Sequence, residues 1–326
     1  MVSVNRVSII AAGMLFPCLA FAQNVADNYP SRAVTVVAAI APGGGIDTEA
    51  RTYVTKVSAL LGQSFVLDFK PGAAGTIGAG YVAKARPDGY TLHVVAGGFS
   101  VFPAFYKDLS FDVVRDFAPI SLMSERTSVL QVAPNFPAKN FAEFIAYAKA
   151  NPGKVNYGTT GAGSITHLAG AWLADATNTK FTFIHYKGTG PLLLELMAGR
   201  LDVGSGILAA ALPYVKSGKT RAIAMMNEKR SKLLPGLPTV AEQGAAGFNY
   251  TNWMGFLAPA ATPPAIVNKL SENFAKVARS PDVVSALEAE GSSAVGSTPA
   301  QFRQLIVTES ARWQKIVQDA GITLED

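Results

Sequence analysis

Two glycine-rich loops constrain this chain more than any other feature. Ala41-Pro-Gly-Gly-Gly-Ile-Asp47 follows the apolar run 33–40 and opens a helical pattern over 48–61, with Ala50, Tyr53, Val54, Val57 and Leu61 on one face. Gly158-Thr-Thr-Gly-Ala-Gly-Ser164 follows a strand-like segment at 155–157 and leads into a helical pattern over 165–176. Glycine loses more backbone freedom on folding than any other residue. Clustering it at a strand-to-helix connection therefore implies a backbone that something approaches closely.

Around these loops, strand and helix patterns alternate. Strands are expected at 65–69, 90–96, 129–133, 181–186, 202–203 and 221–225, and helices at 76–85, 141–150, 191–198 and 208–217. From Pro263 onward the chain reads as helical, over 265–279, 282–290 and 299–320. Such alternation is the unit of a parallel sheet with helices on both faces. There is no solenoid-length repeat and no low-complexity tract. The 326 residues exceed what one core usually holds, so two α/β lobes are expected. Two crossings between them are placed near 126–132 and 248–256. The division is 23–126 with 248–326 as lobe 1, and 127–247 as lobe 2.

The amino terminus carries Arg6, an apolar stretch over 7–19 and Ala20-Phe21-Ala22. A lone positive residue, a short apolar core and an A-x-A end describe a cleaved signal peptide over 1–22, too short to span a bilayer. The one cysteine, Cys18, lies inside it, so the mature chain is expected to hold no thiol, disulfide or lipid anchor. Loss of Arg6 lowers the formal charge from +5 to +4. Basic residues are dispersed, without the patch that nucleic acid or an anionic membrane requires.

A glycine loop between a parallel strand and the next helix sits at the carboxyl edge of the sheet, where α/β proteins bind ligands. Free N–H groups and the positive end of the helix dipole make that place a seat for anions. Neither loop fits a nucleotide motif, since no glycine in them precedes lysine. Gly78-Ala-Gly80-Tyr-Val-Ala83 matches a dinucleotide fingerprint by count but lacks the strand directly before it and the later acid. Plain structural readings also exist. Gly43 and Gly45 could serve a tight turn, Ser164 could cap a helix, and Asp47 is favoured in a first turn by the dipole alone. Ser164 and His167 are three apart, but no G-x-S-x-G frame surrounds the serine. His93, His167 and His185 lack metal-ligand spacing, and no metal or cofactor is expected.

The segments "YPSRAVTVVAAIAPGGGIDTEAR", "KPGAAGTIGAGYVAKARPDGYTL", "GTTGAGSITHLAG", "HYKGTGPLLLELMAGRLDV", "LPYVKSGKTRAIA", "LPTVAEQG" and "VGSTPAQF" occur in this order from about Tyr29 to Ile322. Together they resemble the extracytoplasmic solute receptors of tripartite tricarboxylate transporters, the Bug family. The resemblance implies a two-lobed periplasmic binding protein fold, type II-like, each lobe a mostly parallel sheet flanked by helices. It also implies a soluble periplasmic receptor, monomeric and catalysing no reaction, that closes on a small organic acid and delivers it to the transporter's membrane subunits.

Carried over by position, Gly44, Gly45, Ile46 and Asp47 would line the ligand from lobe 1, and Thr160, Gly163, Ser164, Thr166 and His167 from lobe 2. Two segments depart from the family pattern: Gly204-Ser-Gly-Ile-Leu-Ala-Ala-Ala211 and Gly97-Gly-Phe-Ser-Val-Phe102 are apolar where polar residues are common. Phe99, Ser100 and Ile207 are accordingly read as pocket residues, and the ligand as an aromatic or otherwise apolar carboxylate. Burial of Phe99, Phe102 and Ile207 in the core is the competing expectation. A secreted hydrolase using Ser164 and His167, or a ligand-presenting sensor, are the alternative functions.

Overall fold

The computed structural model describes residues 27–40, 42–43 and 45–323. The expected signal peptide at 1–22, with Cys18, and the site candidate Gly44 lie outside the described residues.

Strand β1 (Val34–Ala38) is buried at four of its five positions, without alternation, as suits a strand covered on both faces. It pairs in parallel with β2 (Phe65–Phe69) on one side and β3 (Thr91–Ala96) on the other. Parallel partners need a crossover, and here the crossovers are α1 (Gly45–Leu61) and α2 (Thr76–Ala83). Helix α1 turns Ala50, Tyr53, Val54 and Val57 inward, as the spacing predicts, and leaves Leu61 half-buried. A ten-residue strand, β4 (Phe117–Arg126), completes this pass of the chain.

After Thr127 the chain enters a second sheet at β5 (Ser128–Val132). There α4 (Phe141–Ala150), β6 (Val155–Thr159), α5 (Ile165–Thr177), β7 (Phe181–His185), α6 (Thr189–Met197), β8 (Val203–Ile207), α7 (Leu208–Lys216) and β9 (Arg221–Met225) follow in turn. The chain returns to the first sheet at β10 (Asn252–Pro259). It ends with α8 (Pro264–Ala278), α9 (Pro281–Ala289), the short β11 (Ser292–Ala294) and α10 (Pro299–Ala320). The six-stranded sheet has the order β11-β4-β10-β3-β1-β2, and the five-stranded one β7-β6-β8-β5-β9.

Both sheets are mixed, with most strands of each running in one direction, as the mostly parallel lobes of the sequence expectation require. The strand that follows each crossing, β5 or β10, inserts between two others and runs against both. Strands β4, β10 and β11 are absent from the sequence reading. β4 and β10 are buried almost throughout and show no period-two alternation, and Pro119 and Gly255 interrupt them, so their pattern carries no strand signal. Gly255 has a packing reason: a Cβ there would stand 2.5 Å from Phe302 and 2.8 Å from the Ser121 carbonyl.

Helix α10 joins the two cores. Its start is fixed by a capping box between Thr298 and Gln301 with Pro299 in the first turn. Phe302 and Ile306 pack with Val37, Phe99 and Trp253 against the first sheet. Two turns on, Trp313, Ile316 and Val317 join Tyr157, Leu168 and Phe248 of the second. Trp172 on α5 receives this end: its ring lies 4.5 Å from Phe248 and 5.8 Å from Trp313, with the Arg312 guanidinium 4.4 Å from its centroid.

Substituting Gly255→Ala should overpack the contact between β10 and α10 and lower stability by about 1–3 kcal/mol, read as a reduced urea midpoint. An unchanged midpoint would mean that α10 shifts freely over the sheet.

Candidate ligand-binding site

The second glycine loop ends β6 and enters α5 through a network of hydroxyls. Ser164 caps the helix, its Oγ accepting the His167 backbone N–H at 3.3 Å. The same Oγ lies 2.9 Å from Thr166 Oγ1. Thr166 Oγ1 in turn accepts the Thr160 N–H at 2.9 Å and lies 2.9 Å from the Thr160 hydroxyl. The loop's outer residues, Thr160 to Ser164, are half-buried, whereas Thr166 and His167 are buried.

His167 Nδ1 accepts the Gly163 N–H at 3.2 Å, which leaves Nε2 to carry the ring proton. Burial, reinforced by the neighbouring His185 ring 4.7 Å away, lowers the His167 pKa to about 4, so the ring is neutral at neutral pH. His185 Nδ1 lies 2.7 Å from Thr159 Oγ1, placed there by the parallel pairing of Thr159 with His185. That pairing is a long-range fact, and no sequence signal pointed to His185 as a neighbour of the loop. Ser164 and His167 do not form a nucleophile–base pair: the serine oxygen is taken up by the cap and the imidazole Nδ1 by Gly163.

The first loop is braced from within. The buried Asp47 carboxylate accepts the Gly43 N–H at 2.8 Å and pairs with Arg51 Nε at 2.7 Å, one turn along α1. Its charge is thus balanced inside the loop. Gly45 is exposed and Ile46 half-buried at the helix start. Arg126, outside the sequence reading, donates to the Gly45 carbonyl at 3.1 Å and pairs with Glu49.

Phe99 and Ser100 are placed elsewhere than expected. Phe99 is 4% exposed and meets Phe102, Phe117 and His93 edge-on, so it belongs to the core. Ser100 is fully buried, and its hydroxyl lies 2.7 Å from the Gly97 carbonyl and 2.9 Å from Glu309 Oε2, with one hydrogen to serve the two acceptors. Glu309 also accepts the Trp253 Nε1–H at 2.7 Å, and burial pushes its pKa up to about 7 against those hydrogen bonds. Ile207 is half-buried where β8 meets α7, opposite Ser128, and remains available as an apolar wall.

A cavity of about 270 Å³ lies beside the first loop, lined by Gly45, Glu49, Tyr53, Arg126 and Leu287 among others. Larger grooves of about 780 and 840 Å³ flank segment 103–116 and include no residue of either glycine loop. Among the described residues no cluster of His, Cys, Asp or Glu is arranged to hold a metal, and no helix is long and apolar enough to cross a membrane.

Residues 50–322 match the model of the tripartite tricarboxylate transporter family receptor. The chain belongs to this receptor family. Protein BugT of Bordetella pertussis is 32% identical over 306 residues, covering 92% of this receptor and 93% of BugT. Among solved structures, Rpa4515 of R. palustris with adipate is 32% identical with a TM-score of 0.76, covering 91% of this receptor and 100% of that chain. MatC of Rhodopseudomonas palustris with bound malate is also 32% identical, with a TM-score of 0.73, covering 89% and 100%. The fold of the receptor is accordingly that of the two-lobed periplasmic binding proteins.

Glu309 and His167 give the receptor's stability opposite pH dependences. With the folded pKa of Glu309 raised from 4.5 to about 7, its contribution is full below about 4.5 and fades as pH rises through about 7. His167, lowered from 6.5 to about 4, contributes above about 6.5 and loses that contribution as pH falls toward 4. Between about pH 4.5 and 6.5 the two slopes oppose each other, so Glu309→Gln should turn a nearly level unfolding free energy there into one that rises with pH. A slope equal to wild type would assign the titration to another group.

Proposed function

We propose that this receptor captures a small organic carboxylate between its two lobes, without transforming it, and presents it to the membrane subunits of a tripartite transporter. On this reading it works in the periplasm. The lobes are 23–126 with 248–326, and 127–247.

The observation that carries the proposal is the matched placement of the two loops. Each ends a strand that has parallel neighbours, and each opens the helix that follows, at the sheet edge where anions find free N–H donors. The proposed contacts are Gly44, Gly45 and Ile46 from the first loop and Thr160, Gly163, Ser164 and Thr166 from the second. Asp47 and His167 then act as braces, each occupying one loop N–H and so fixing the loop's shape. Charge-assisted hydrogen bonds are roughly twice as strong as neutral ones, so several aimed N–H and O–H donors can hold a carboxylate without a buried cation.

The ligand class follows from what surrounds the donors. Adipate in Rpa4515 and malate in MatC are both dicarboxylates. With Phe99 withdrawn into the core, the apolar wall of the proposed pocket reduces to Ile207 and Ile46. Those suit an alkyl or small ring spacer between two carboxylates better than the third, polar arm of citrate.

A thermal-shift screen of the chain from Gln23, refolded to remove bound acids, tests this. Malate, adipate, phthalate, benzoate and citrate form the panel, with amino acids and sugars as controls. Ligand at a hundred times its Kd adds about 2.7 kcal/mol, a shift of several degrees. A shift with dicarboxylates alone is the expected result; a shift with citrate alone would discard the ligand class, and none with any acid would discard the receptor reading. Ser164→Ala should weaken binding of the responding acid by about tenfold, the loss of one charge-assisted bond, and leave measurable affinity through the backbone donors. Complete loss would mean that the hydroxyl, not the backbone, holds the acid.

A further inference from the structure

The chain passes between the sheets twice, and one side chain binds both passages. Asn227, 8% exposed and two residues beyond β9, accepts the Ser128 N–H at 2.5 Å through Oδ1. Its Nδ2 donates to the Arg126 carbonyl at 3.3 Å and to Thr251 Oγ1 at 3.1 Å. Arg126 and Ser128 flank the outward crossing, and Thr251 stands just before β10 on the return. Thr251 Oγ1 donates onward to Asn249 Oδ1 at 2.8 Å, which also accepts the Glu228 N–H at 3.1 Å. Both hydrogens of the Asn227 amide are used, and no other polar side chain of this size supplies one acceptor and two donors in this geometry.

The residue whose carbonyl Asn227 holds is the one whose guanidinium reaches the first loop. The Arg126 side chain binds the Gly45 carbonyl and Glu49 in the first turn of α1, and both partners of this ion pair are nearly buried, at 13% and 9% exposure. A Cβ on Gly45 would stand 3.3 Å from Arg126 Nη1, so the absent side chain at 45 makes room for this contact. The path from the crossings to the loop is therefore short and made of directional bonds. We propose that Asn227 and Arg126 form a hinge pin that transmits the setting of the crossings to the first glycine loop. They act as positioning residues for ligand capture, and touch no ligand themselves. The proposal rests on the receptor reading for its purpose but not for its test.

Domain closure is absorbed by a few residues at the ends of elements, and rotation about 126–128 would carry the guanidinium and the α1 first turn with it. The loop's donors would then move as one body with the hinge.

Hydrogen exchange on the ligand-free protein tests this. Asn227→Ala should speed exchange at Ser128, and also at residues 49–53 in the first bonded turn of α1, each by roughly tenfold. Arg126→Gln should speed 49–53 alike. In the double variant, 49–53 should exchange no faster than in Arg126→Gln alone, because the same connection has already been cut. The proposal is overturned if Asn227→Ala leaves 49–53 at the wild-type rate, or if the two effects multiply at 49–53, as they would in a general loosening that α8 shares. Neither result bears on whether the protein binds a carboxylate.

Discussion

The requirement that parallel strands be joined by a crossover governs this structure. A hairpin cannot connect β1 to β2 or β6 to β7, so a helix must leave the sheet edge and return. That geometry puts the turn after each strand, and the start of each helix, on the same edge. The glycines at 43 and 163, both with positive φ, lie in those turns. In these positive-φ turns the Gly163 backbone N–H meets His167 and the Gly43 N–H meets Asp47. The gathering of both loops at the sheet edge is thus a result of chain connectivity, and the side chains near them hold the backbone in place.

The second organising element is the return of the chain. Because β10 comes back from the second sheet into the middle of the first, the terminal helices pack on the first sheet while α10 reaches across to the second core. A carboxylate, Glu309, is buried in that span with two neutral donors on it. Its raised pKa follows from desolvation that two hydrogen bonds only partly offset.

How much of this was legible in the sequence depended on range. Helices such as Phe141–Ala150 and Pro299–Ala320 were readable to the residue, since an N-cap asparagine or a Thr-Pro-x-Gln start is a local signal. Ser164 as a cap and Asp47 as a first-turn acid were equally local. The long strands β4 and β10 were not readable, because burial on both faces erases alternation. The aromatic segment at Phe99 misled for a related reason: a ring in a loop after a strand has the same sequence signature whether it faces a pocket or Phe117. Arg126, His185 and Asn227 owe their positions to partners 26 to 101 residues away, and no local pattern marks them.

The span of α10 across the two cores has an optical consequence. The three tryptophans of the chain all sit along it: Trp253 hydrogen-bonded to Glu309, Trp313 on the helix itself, and Trp172 beneath Arg312. Their emission is therefore not an average over the molecule. It is a label-free signal confined to the contact that links the two halves, with an ionisable group beside it and a guanidinium over one ring, so that changes at this one seam dominate the intrinsic fluorescence of the whole protein.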